Sequence, residues 1–80
     1  MTNVVVGVFA SRVDDVFRSA HHFTVLHLAA HNVRCFQSFP EAVEDAKIDE
    51  SASVYAVTLE GVVAGLPRPN WRRFLSLWYQ

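Results

Sequence analysis

Four histidines, His21, His22, His27 and His31, fall within eleven residues of the chain. Imidazole is the commonest neutral metal ligand and the side chain that titrates nearest neutrality, so such a cluster first suggests metal binding or acid–base catalysis. His27 and His31 have the i, i+4 spacing that would set two ring nitrogens on one helical face. A zinc site needs three or four ligands, and no nearby acidic or cysteine spacing supplies the rest. No metal and no cofactor are therefore expected. The simpler assignment places His21 and His22 at the end of a first helix, where positive charge is favourable, and His27 and His31 in a hairpin.

Cys35 would be a nucleophile only with a lowered pKa, which needs a helix N-terminus or a neighbouring base. Between Val33 and Phe36 it reads as a small core residue on a strand. Ser, His and Asp all occur, but a triad is a geometry and composition alone does not make one. Gly7, Gly61 and Gly65 are too scattered to cradle a phosphate. No catalytic residue is assigned, and a nonenzymatic protein is expected.

The elements that would position these groups follow from periodicity. Val4 to Phe9 is an unbroken β-favouring run, as expected of a central strand. Ser11 is placed to cap a helix in which Val13, Val16, Phe17 and Ala20 recur at helical spacing. Thr24 to Ala30 and Val33 to Gln37 read as a hairpin about His31-Asn32, with Asn supplying the positive φ of a tight turn. Extension of the first helix through Ala30 is the rival reading. Ser38 with Glu41 three residues on is a capping box, Pro40 suits the first turn, and Phe39, Ala42, Val43 and Ala46 form an apolar stripe. Ser53 to Leu59 and Val62 to Ala64 are strands joined at Glu60-Gly61; Pro67-Arg68-Pro69 ends the sheet. Asn70 is placed to cap a last helix that turns Trp71, Phe74, Leu75 and Trp78 to one side.

The order strand, helix, two strands, helix, strand gives an α+β domain over residues 1–80. It resembles a ferredoxin-like βαββαβ fold with an extra hairpin strand and a C-terminal helix. Such a sheet has a second face, left open or covered by the final helix or a second subunit. The RNA-recognition fold shares the strand order, but Val33 to Phe39 lacks its Gly-aromatic pattern. A small ligand-sensing or RNA-binding module using Phe9, Phe36 and Tyr55 is the alternative function.

Eighty residues bury about 60–65% of their unfolded surface, so large apolar groups left outside call for a partner. Seven basic against eight acidic residues give a net charge of −1, too little basic excess for direct nucleic-acid binding and too little charge to oppose a homodimer. The lone cysteine closes no intrachain disulfide. No basic residue precedes the first apolar run, as a secretory leader would have, and no run reaches the ~20 residues of a membrane span. A cytoplasmic protein with no membrane partner is expected.

Two surfaces stand out as sites for a partner. On the second helix Glu41, Glu44, Asp45 and Asp49 are expected to gather opposite the apolar stripe as an acidic ridge, steering the chain onto a protein with a basic surface. In the tail, Arg72, Arg73, Trp78 and Tyr79 are of the types enriched at interfaces and would form a second contact or a dimer seam. One tiny α+β domain with an acidic helix between Cys35-Phe36 and Val54-Tyr55 resembles the small accessory proteins of phages and mobile elements, including anti-CRISPR proteins. That resemblance implies a protein-binding inhibitor or regulator of a larger nucleic-acid-handling machine.

Overall fold

The computed structural model describes residues 12–80. Helix α1 is described over 12–18. It is followed by β1 (Ala20–His27), β2 (Asn32–Phe36), α2 (Phe39–Ala46), β3 (Ser53–Thr58) and β4 (Val63–Leu66), then a 3₁₀ turn (Arg68–Asn70) and α3 (Trp71–Trp78). The expected strand at Val4 to Phe9 and the Ser11 cap lie outside the described residues. The four strands form an antiparallel sheet in the order β2-β1-β3-β4.

That order departs from the ferredoxin-like expectation. β1 pairs directly with β3 from Leu26↔Ser53 to Ala20↔Thr58, so no other strand lies between them. The α+β class holds, as does the hairpin; the ferredoxin arrangement of strands does not follow from the described residues.

Strand alternation decides which side of the sheet carries the core. Phe23, Val25 and His27 of β1 are buried, as are Val54, Ala56 and Thr58 of β3 and Leu66 of β4. The helices contribute Val16 and Phe17, then Phe39, Ala42, Val43 and Ala46, then Trp71 and Phe74. Phe17 is central, its ring centroid 4.9 Å from Phe74, 5.2 Å from Phe39 and 5.7 Å from Phe23. Tilted and edge-on aromatic contacts of this kind add to simple area burial.

Local chemistry explains the element ends. Ser38 accepts a hydrogen bond from the Glu41 amide at 3.2 Å and Pro40 occupies the first turn of α2, as its sequence predicts. Gly61 adopts φ +89° in the β3–β4 turn, where L side chains are strained. Trp71 donates from its indole nitrogen to the Leu66 carbonyl at 2.7 Å, tying α3 to the end of β4.

Several expectations are corrected. β1 begins at Ala20, so His21 and His22 are strand residues and do not close α1. Residues 28–31 form the hairpin turn, and the positive φ of 50° belongs to His31, not Asn32. Asn70 makes no side-chain cap, because the 3₁₀ turn runs straight into α3 and leaves it with helical torsions. Cys35 is exposed instead of in the core, since its pairing with Thr24 turns it away from the helices.

Candidate functional site

Asp45 and Asp49 do not face solvent on an acidic ridge. His27 is 6% exposed at the end of β1, and its Nε2 lies 2.7 Å from Asp45 Oδ2 while its Nδ1 lies 3.2 Å from Asp49 Oδ2. Asp45 accepts a further bond on Oδ1 from Arg34 Nη1 of β2 at 2.7 Å. A ring flanked by two carboxylates donates from both nitrogens only as the imidazolium. Two cations and two carboxylates then balance.

The physical reason lies in the helix wheel and the helix end. Asp45 follows Ala42 by three residues and so flanks the buried stripe instead of opposing it, while Asp49 lies past the helix end, in a turn where its amide donates to the Ala46 carbonyl at 3.2 Å. The bond to Asp45 raises the His27 pKa above its ordinary value, against the opposing effect of burial, with Asp49 adding to the rise. Asp45 is lowered chiefly by His27 and then by Arg34. Asp49 is lowered first by the side chain and amide of Ser51, at 2.7 and 2.9 Å, and then by His27.

Arg68 holds the loop that carries Asp49. Its Nη2 lies 3.0 Å from the Asp49 carbonyl, 3.1 Å from Ala52, 3.3 Å from Glu50 and 3.5 Å from Ala46, while its guanidinium stacks 4.5 Å over the Trp71 ring. A cation on the last carbonyls of a helix is favourable. A cleft of about 350 Å³ beside it is lined by Ser51, Tyr55, Arg68 and Trp71, with the Nη2 of Arg68 engaged by backbone carbonyls.

The other predicted contact residues are dispersed. Glu44 pairs with Lys47 at 2.9 Å; Glu41 is exposed with no ion partner among the described residues. Arg73 bonds Asp14 of α1 at 2.9 Å and lies over the Phe74 ring. Trp78 packs edge-on against Phe23 at 5.7 Å and keeps 38% exposure. Arg72 and Tyr79 are exposed. Of the aromatics in the alternative RNA-binding reading, Phe36 lies on the helix side with Phe23, Phe9 is outside the described residues, and Tyr55 alone faces outward.

No family model matches the chain, and no curated protein or solved structure matches it either. The surface itself must speak.

The side of the sheet away from the helices, expected from the sequence to be open or covered by the final helix or a second subunit, is not covered by α3, which packs with the core on the opposite side. Strand register arranges it in rows: Cys35, Thr24, Tyr55 and Gly65; then Val33, Leu26 and Ser53; then His22, Val57 and Val63. Not one of these positions is Asp, Glu, Lys or Arg. A solvated antiparallel face ordinarily carries polar and charged side chains. Val33 is 56% and Val63 57% exposed, and Leu28, Leu59 and Val62 extend the apolar surface at the strand ends. The alternation in β1 and β3 held the signal: Thr24, Leu26, Tyr55 and Val57 share the parity opposite to the core residues.

Proposed function

We propose that the chain is a nonenzymatic protein-binding module whose contact surface is the uncharged outer face of its sheet. The observation that carries this reading is the absence of formal charge from the outward strand positions, joined to exposed Val33 and Val63. Contiguous apolar surface on a domain this small is characteristic of interaction sites. The occupant that fits is a flat, uncharged protein surface; a phosphate backbone or a basic patch finds no counter-charge there.

A protein partner is retained from the sequence reading, and the acidic helix is dropped as its contact. Asp45 and Asp49 are consumed by His27 and Arg34, and Glu44 is neutralised by Lys47. Regulation of a nucleic-acid-handling machine then requires docking through the sheet.

Two double variants separate the surfaces. V33E/V63E places charge on the outer face, and E41K/E44K reverses the remaining exposed acids of α2. A protein bound by the wild-type chain is expected to be lost with V33E/V63E and retained with E41K/E44K. Loss with E41K/E44K and retention with V33E/V63E would restore the helix and overturn the proposal.

A further inference from the structure

We infer that the outer face of the sheet is closed by the same face of a second copy of this chain, giving a two-fold dimer of back-to-back sheets. The inference rests on the protein-binding reading above and names its partner.

Shape is the first argument. Four strands spaced about 4.8 Å apart, with about six residues each at about 3.3 Å, make a face roughly 20 Å on a side. A helix is only about 10 Å wide and would leave half of it wet. A second sheet matches it, since sheets stack face to face about 10 Å apart with their strands nearly aligned.

Charge is the second argument. A two-fold contact sets residues near the axis against their own twins and every other residue against one whose twin returns the contact, so a charge near the axis would meet like charge. This face carries no Asp, Glu, Lys or Arg, and the net charge of −1 opposes association little. The charged side chains of the described residues lie instead on the helices, in the loops and, for Arg34, on the helix side of β2, where it reaches Asp45.

Area sets the strength. Two such faces, side-chain relief included, remove on the order of 1,000 Å² from water, near the floor for specific association. The dimer is therefore concentration-dependent, and it needs the whole face.

Sedimentation of the full chain across a dilution series reads this directly. The wild-type mass is expected to rise twofold from the 9.0 kDa of one chain as concentration increases, while V33E/V63E stays at one chain throughout. Both valines are more than half exposed, so an unchanged circular dichroism spectrum and a cooperative melting transition would show that the variant folds. A wild-type monomer at every concentration overturns the inference, as does a dimer that V33E/V63E leaves intact. If the monomer instead binds a foreign protein that V33E/V63E loses, the protein-binding reading survives and only the second copy is wrong. A monomer in which Cys35 resists labelling at every dilution also overturns the inference.

Discussion

His27 is a core position filled by a titratable side chain, and its two carboxylate partners make the stability of the chain pH-dependent. Its folded pKa lies above 6.5, so its contribution is fully present below 6.5 and is lost as pH rises through that higher value. Asp45 and Asp49 have folded values below 3.8, so their contribution is present above 3.8 and is lost as pH falls through the lower values. Urea denaturation from about pH 3 to about pH 9 should therefore show a maximum between those limits. In H27Q the decline on the alkaline side should disappear. Parallel alkaline limbs for the two proteins would refute the imidazolium assignment. The cluster was legible in principle. Phe23, Val25 and His27 share one parity, and a core-facing histidine demands partners, which Asp45 at the edge of the α2 stripe and Asp49 just past the helix end supply. A helical wheel carried to Asp49 misplaces it, because α2 ends at Ala46, and Asp45 lies beside the stripe, three residues from Ala42.

Among the secondary-structure elements, α2 was the most legible, because its signals are local. Ser38, Pro40, Glu41 and the stripe from Phe39 to Ala46 all specify the same start and the same buried side. S38A should destabilise the chain by about 1 kcal/mol through the lost cap. F39A should cost about 3–5 kcal/mol, since its fully buried ring touches Phe17, Phe23 and Phe74. Equal effects of the two substitutions in denaturant unfolding would contradict this division. For α3, W71F keeps an aromatic ring, smaller than the indole, but leaves the Leu66 carbonyl unpaired, with an expected loss of at least about 1–3 kcal/mol. A wild-type melting curve for W71F would show that this bond contributes nothing. β1 was less legible. Ala20-His21-His22 fits a helix end as well as a strand start, and pairing with β3 out to Thr58 decides in favour of the strand.

For the whole molecule, strand order was beyond what local pattern can specify. Pairing of β1 with β3 joins residues separated by the hairpin, α2 and two loops, so it is settled by tertiary packing. Once that pairing is fixed, all three helices lie on one side. Val33, Leu26, Tyr55, Val57 and Val63 are then left together on the other, and residues scattered along the sequence become one apolar surface. Each of them alone is an ordinary strand residue; only their assembly has meaning for binding.

Cys35 provides the most direct probe of that surface, because it is the single thiol of the chain and lies on the outer face beside Thr24. Its rate of modification by a small thiol reagent should fall several-fold as the wild-type chain is concentrated, and should stay fast at every concentration in V33E/V63E. A wild-type rate that is fast and independent of concentration would contradict closure of this face by a second copy.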